Sequence, residues 1–335
     1  MNFIKIGDKI MKKMLALIIS MALTIMMTLP TYAITKNELV MTESEITTFY
    51  EEAKAVPYNI SSTEDMEAIL ERTGSYIYDV ESENEQYEPF EILDDRSLSE
   101  GESSPGYFPN GEEEIPTPIG IIGSDDRVMV GNTAVGPWCN MVSLLIETST
   151  GGRYVGSGFM IGPNAVATAG HCVYNSEFGG WAKKITVVPA RNGSIQPYGA
   201  ASSTKLECGG NWHDSYNNQD DWGVITINSN LGNSTGYLGL RWQSAAYSGN
   251  LMACGYPASD AEHLYYCYGA ITSCSARTIV GNWDITGGQS GGPVIRHYGD
   301  TGYTAVALNR GGGDSYSDAI RIDQWLYEKF MTYRS

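Results

Sequence analysis

Histidine is scarce in this sequence, four in 335 residues, and cysteine is absent before position 139. Basic residues are few: 21 Lys and Arg stand against 39 Asp and Glu, for a net charge of −18. No Lys/Arg-rich patch interrupts that acidity, so nothing supports a nucleic-acid-binding surface. No CxxC pair or His/Cys cluster has the spacing of a zinc site. Long apolar runs are nearly missing as well: the one at Met14 to Leu29 has 16 residues, short for a bilayer-crossing helix. No internal repeat is visible, which argues against solenoid and propeller arrays.

That apolar run follows Lys12-Lys13 and ends at Pro30 and the small-residue stretch Thr31-Tyr32-Ala33. This is the pattern of a signal peptide over residues 1–33, so export and a secreted mature chain are expected. The acidity is concentrated in residues 34–119, which hold 22 acidic and four basic residues, whereas residues 120–335 are close to balanced. The spacing of apolar residues predicts two short helices in the acidic segment, Glu43 to Lys54 and Ser62 to Arg72. They lead into "EGESSPGYFPNGEEEIPTP", a linker-like tail expected to be poorly ordered.

From about Gly120 the chain turns to short Val/Ile/Tyr-rich runs separated by Gly, Asn, Ser and Pro: "NMVSLLIET", "YVGSGFMIG", "KITVVPA", "DWGVITI", "NLMACGY", "TAVALN". Such punctuation predicts an all-β barrel or sandwich. Ile322, Trp325, Leu326 and Phe330 recur at helical spacing and predict a short C-terminal helix packed on it. All six cysteines lie beyond the exported boundary, and an even count in a secreted domain predicts disulfides, with 15 possible connectivities.

The stretch "ITGGQSGGPV" sets one hydroxyl, Ser290, among four glycines. A serine hydroxyl becomes a nucleophile when a neutral imidazole takes its proton and a carboxylate holds that imidazole. Glycines beside it let backbone N–H groups aim at an oxygen that gains negative charge during acyl transfer. His171 is the histidine in a suitable context, "VATAGHCVY", where small residues let another element approach the ring. His213, His263 and His297 lie in polar stretches and read as surface residues. For the carboxylate, "NNQDDWGVITI" offers Asp220 and Asp221, and Asp221 is favoured because it enters the apolar strand directly.

The order His171, Asp221, Ser290, with "TAGHC" and "GGQSGGP", resembles the trypsin-like serine peptidases and, more closely, the glutamyl endopeptidases secreted by Gram-positive bacteria. The likeness extends through "IGSDDR", "MIGPNAVATAGHC" and "NSTGYLG", over essentially residues 120–330. It implies a trypsin-like double six-stranded antiparallel β-barrel, with His171 and Asp221 from the first barrel and Ser290 from the second. It also implies an oxyanion hole made by the N–H groups of Gly288 and Ser290. Residues 34–119 would be a propeptide and residues 120–335 the peptidase domain. Cleavage of polypeptides after acidic residues, Glu preferred, is the expected activity, with no metal or other cofactor. The expected partners are polypeptide substrates and the chain's own propeptide, with no membrane attachment after signal removal, and the protein is expected to be a monomer.

Two other readings compete. Gly288-Gln289-Ser290-Gly291-Gly292 also satisfies G-x-S-x-G, but an α/β-hydrolase needs its acid and then its histidine after the serine, and only His297 follows. An inactive secreted binding protein of the same fold is the second. The sequence departs from the resemblance at two places. The strand "YVGSGFM" lacks the cysteine expected to bridge Cys172, so Cys172–Cys139 is offered instead, with Cys254–Cys267 as a cross-strand pair. Where the glutamyl endopeptidases carry a histidine that helps hold the substrate's glutamate, this chain has Asn309. The candidate substrate-binding groups are therefore Thr286, Asn309, Arg310 and the amine of Gly120 freed by processing. Asp284, six residues before the serine, is not taken as a receptor for basic side chains, because acid-specific members share it.

Overall fold

A computed structural model describes residues 41–57, 72–90, 100–113, 115, 125–313 and 315–334. The expected signal segment, nearly all of the second expected helix, and Gly120 lie outside these residues.

Twelve strands form two closed antiparallel barrels. The first consists of β1 (Met141–Thr148), β2 (Arg153–Gly162), β3 (Ala165–Thr168), β4 (Gly180–Pro189), β5 (Ala201–Gly209) and β6 (Gly223–Ile227). They pair in the order β1-β2-β3-β6-β5-β4 and close through β4 on β1. The second consists of β7 (Asn250–Gly255), β8 (Tyr265–Cys274), β9 (Thr278–Gly281), β10 (Pro293–Tyr298), β11 (Gly302–Gly313) and β12 (Tyr316–Arg321). Their order, β7-β8-β9-β12-β11-β10, repeats that of the first barrel. The structure thus contains a duplication of topology that the sequence does not display as a repeat.

The strands read as apolar runs because many are buried on both faces. Alternate side chains of β2 go to different cores: Met160 joins Val142, Leu144, Val166 and Ile225 inside the first barrel, while Phe159 and Ile161 enter the core between the barrels. That interface core also takes Met252, Ile295, Leu308 and Ile320 from the second barrel. The C-terminal helix, Gln324–Met331, is capped by Asp323, whose carboxylate accepts from the Leu326 N–H at 2.9 Å. Its buried Leu326 and Phe330 close the same core, each contributing about 1.5–3 kcal/mol.

The acidic segment packs against both barrels. Helix Glu43–Glu52 begins in a capping box of Thr42 and Glu45 and buries Ile46 and Phe49 against Leu145 and Val188. The strand Lys54–Ala55 then runs parallel to β2 beside Tyr154 and Val155. A hairpin, Gly74–Asp79 with Asn84–Pro89, covers the edge of β5 where β4 diverges. The described part of the tail expected to be loose, residues 100–113 and 115, is instead held in place. Gly101–Ser104 pairs antiparallel with Gly239–Gln243, Glu112 accepts from the Tyr303 N–H at 2.9 Å, and Glu113 accepts from the Trp138 indole at 3.0 Å. Backbone pairing with Gly239–Gln243, the strand between the two barrels, overrides a composition that favours disorder.

The expected disulfides are also corrected: all six cysteines are free. Cys254 lies opposite Tyr266 and Cys267 opposite Ala253, so the pleat turns the two thiols to opposite faces, one into the interface core and the other into the second barrel. The Cys139 thiol donates to the Thr235 carbonyl at 3.0 Å, whereas Cys172 packs inside the first barrel. Among the described residues no helix is long and apolar enough to cross a membrane.

Candidate active site

His171 sits on a single 3-10 turn, Gly170–Cys172, after β3, and Asp221 caps the turn leading into β6. The pairing of β3 with β6 brings the two together. A Cβ on Gly170 would stand 2.9 Å from the Asp221 carboxylate, which is why the residue before the histidine is the smallest. Asp221 then holds His171 twice. Its Oδ1 accepts the backbone N–H at 2.7 Å and its Oδ2 pairs with Nδ1 at 2.8 Å, both side chains being fully buried. Burial disfavours the imidazolium, but the Asp221 carboxylate and the Cys172 thiol together outweigh it and raise the His171 pKa above its ordinary value. Trp212 meets the ring edge-on, with centroids 6.2 Å apart.

Asp220 is turned elsewhere. Its Oδ1 accepts from the Trp222 indole at 2.8 Å and pairs with Arg72, and its Oδ2 accepts from the Asn211 N–H at 3.0 Å. The two neighbouring aspartates therefore face different partners, and Asp221 is the one at the imidazole.

Ser290 lies in the turn before β10, with 7% of its surface exposed. Its hydroxyl donates to the Arg310 carbonyl at 3.2 Å. Two of the glycines answer to backbone geometry: Gly288 has φ +97° and Gly291 has φ +81°, a region that side chains disfavour. The peptide planes around the serine are pinned from behind. Ala258 N–H donates to the Gly287 carbonyl at 2.7 Å, and Gly292 N–H donates to the Gln289 carbonyl at 3.1 Å. Because C=O and N–H point opposite ways across a trans peptide, the amides of Gly288 and Ser290 are directed away from those anchors. Ser157 of β2 was not singled out from sequence, yet its hydroxyl donates to the Gly288 carbonyl at 2.8 Å and accepts from the Tyr256 N–H at 2.8 Å. No local signal marks it beyond a serine between two glycines of an apolar strand.

The remaining pocket candidates are dispersed. Thr286 is exposed, and its N–H donates to the Gln289 side-chain oxygen at 3.0 Å. Asn309 is fully buried and donates through Nδ2 to the Cys254 carbonyl at 3.2 Å. The Arg310 guanidinium engages Asp318 and the Asn218 carbonyl. The β-bulge between Asn309 and Gly311 re-aims this side chain toward the first barrel. Asp284 accepts from the Asp126 N–H at 3.0 Å, and burial raises its pKa.

The Trypsin family model matches residues 129–326. The chain belongs to the trypsin family. This trypsin-family chain is a serine endopeptidase, and its two barrels are those of that fold. It is 35% identical over 226 residues, 66% of this chain and 72% of the relative, to "Extracellular metalloprotease" of Bacillus subtilis. It is 33% identical over 224 residues, 64% of this chain and 69% of the relative, to "Glutamyl endopeptidase" of Bacillus licheniformis. Among solved structures, a Glu endopeptidase aligns with TM-score 0.56 at 24% identity, covering 63% of this chain and 97% of that one. The protease Anisep of Arthrobacter nicotinovorans aligns with TM-score 0.53 at 24% identity, covering 62% and 98%.

The first relative's name raises a metal. Among the described residues of this trypsin-family chain, the trio Asp126, Cys267 and Asp284 brings potential ligand atoms within 4.8 Å of one another. The Cys267 thiol donates to Asp126 at 2.7 Å, and burial pushes its pKa up. The trio's groups are already engaged with one another, the Cys267 thiol with the Asp126 carboxylate and the Asp126 N–H with Asp284, a closed set of hydrogen bonds within the protein.

Proposed function

We propose that the chain is a secreted serine endopeptidase, made with residues 34–119 as a propeptide, that cleaves after acidic residues through an acyl-enzyme on Ser290. The double hold of Asp221 on His171, together with a serine loop whose amide planes are pinned, supports the catalytic part. The Ser290 hydroxyl turns from the Arg310 carbonyl to His171, attacks the scissile carbonyl carbon, and gives its proton to the imidazole. The C–N bond breaks as that proton passes to the leaving amine. Water then yields a proton to His171, attacks the ester, and the proton returns to Ser290 as the acid product leaves. Asp221 holds the imidazole's tautomer and stabilises the imidazolium. The N–H groups of Gly288 and Ser290 receive the oxyanion. A serine-directed fluorophosphonate tests this: it should label the processed chain at Ser290, and labelling elsewhere refutes the assignment.

The acidic preference leans on the relative named for glutamyl cleavage. With Arg310 engaged by Asp318, the freed amine near Gly120 is left as the cation for a substrate carboxylate. Asn309 supplies no charge, so discrimination for Glu is weaker than an imidazolium would give, since charge-assisted hydrogen bonds are about twice as strong. The Asn309 amide, bonded to Cys254, favours a second reading, a pocket for a neutral side chain. Cleavage of a mixed peptide library decides: a leading Glu supports the first reading, and a dominant neutral or basic residue overturns it.

The propeptide reading is supported by contacts at the mouth of the site. Asn175, four residues after His171, donates to the Pro57 carbonyl at 3.2 Å, and a Cβ on Gly287 would stand 2.7 Å from that of Ala55. The presence of the segment accords with the complete burial of His171. Amino-terminal sequencing of active enzyme should begin near Gly120; full activity with the chain still starting near Ile34 is the contrary outcome.

A further inference from the structure

The two residues assigned to the oxyanion hole, Gly288 and Ser290, flank Gln289. Its side chain is fully buried and makes a contact with Arg127, outside the loop. Gln289 Oε1 accepts two hydrogen bonds, from the Thr286 N–H within the loop at 3.0 Å and from Arg127 Nη1 at 3.1 Å. Two donors meeting on one atom require that atom to be the oxygen, so the orientation of this amide follows from chemistry. The buried Nε2 has no hydrogen-bond partner among the described residues.

Arg127 is itself held from its other side. Its Nε and Nη2 donate to the two oxygens of Asp125 at 2.8 and 2.6 Å, and the hydrogen bonds from Arg127 hold the Asp125 carboxyl well below the usual carboxylate range. The guanidinium lies over the Tyr265 ring, 6.0 Å from its centroid. Arg127 is thus a fixed fork with one tine on the oxyanion loop. It precedes the stretch matched by the family model and follows the expected processing point near Gly120, so it stays with the mature chain.

We propose that Arg127 is a positioning residue for the oxyanion hole: through Gln289 Oε1 it locks the loop that aims the Gly288 and Ser290 amides. Gln289 supplies the carbonyl of the peptide plane that carries the Ser290 N–H and is bonded to Gly288 on its other side, so swinging its side chain out of the core would rotate the first plane and release the φ +97° backbone of Gly288 that orients the second. The lock is made by a side chain already in the chain, and forming it does not depend on a newly freed amine. The inference rests on the proposed roles of the Gly288 and Ser290 amides.

The test uses processed enzyme with Arg127→Ala, Arg127→Lys and Gln289→Glu, and Ser290→Ala in parallel. For each, kcat and KM are measured on one peptide substrate. Affinity is measured for a peptidyl boronic acid, whose tetrahedral adduct places an oxygen in the hole, and for the matching peptide amide, which forms no adduct. Arg127→Ala should lower kcat and boronate affinity together by about 10- to 100-fold, less than the 10²–10³ seen when a hole donor is removed outright. KM and amide affinity should stay within about threefold. Arg127→Lys should recover part of the loss. Gln289→Glu, whose carboxylate accepts from the same two donors, should lose less kcat and boronate affinity than Arg127→Ala, and it carries the test together with Arg127→Lys if the alanine variant does not fold. Equal losses in boronate and amide affinity, or a lowered Tm with kcat and boronate affinity unchanged, overturn the proposal. Wild-type turnover by Ser290→Ala would instead sink the serine mechanism, a failure read separately.

Discussion

Gly156 faces the thiol of Cys172 across the interior of the first barrel: a Cβ on the glycine would lie 3.0 Å from Sγ. That is the distance between one Cβ and the far sulfur of a disulfide, given an S–S bond of about 2.05 Å. The strand next to the histidine turn is therefore shaped for a bridge that the sequence does not supply. The cysteine is left as a buried apolar side chain.

Gly156→Cys should consequently form a bond with Cys172 without moving the backbone. Thiol titration of the unfolded, unreduced variant should find no more free thiols than the wild type has, less the one from Cys172. Closing a loop of this size contributes about 3 kcal/mol at most. A rise in Tm abolished by reductant is the expected outcome, and a seventh titratable thiol the contrary one.

Ser290→Ala and His171→Ala should each lower kcat by several orders of magnitude with little change in peptide affinity, because the members of such a unit fail together. Asp221→Asn should preserve the fold and lower kcat by about 10⁴, through the wrong imidazole tautomer. Asp220→Asn should act on stability instead. A kinetic loss at Asp220 equal to that at Asp221 would reverse the assignment of the two carboxylates.

The pH profile follows from the environment of His171. Burial lowers the imidazole pKa, the Asp221 carboxylate and the Cys172 thiol raise it, and the net direction is upward. The base must be neutral, so kcat/KM should fall as pH drops through the raised pKa, with an acid limb above the ordinary value of about 6.5. Asp221→Asn should move that limb down. In stability the sign is opposite: the pair stabilises fully below about pH 6.5, and this is lost as pH rises through the raised pKa. An acid limb at or below the ordinary value would contradict the coupling.

Arg72 anchors the acidic segment to the body of the protein. Its buried guanidinium pairs with Asp220 and, at 3.1 Å, with Asp323. Arg72→Ala should leave Asp220 buried without that cation, an effect of about 3–5 kcal/mol. In a Ser290→Ala precursor, which cannot process itself, an added protease should remove residues 34–119 at least tenfold faster than from the Arg72 parent. Equal rates would mean that the ion pair does not hold the segment.

Sequence alone singled out the candidate catalytic residues, because their signals are local. A small pair before His171, an aspartate opening an apolar strand, and glycines around Ser290 each report the backbone their own residue needs. Runs buried on both faces, such as β1 and β2, were legible for the same reason. Strands with a polar face, β5 and β12 among them, and the Gly74–Pro89 hairpin carry no such run, since pairing with distant strands stabilises them. Tertiary structure alone decided the closure and duplication of the barrels, the anchoring of the acidic tail, and the separation of the six thiols by the pleat. It also decided the fate of Arg310. A one-residue bulge against β12 turns that side chain to Asp318, and a register between strands is written in no single stretch of chain.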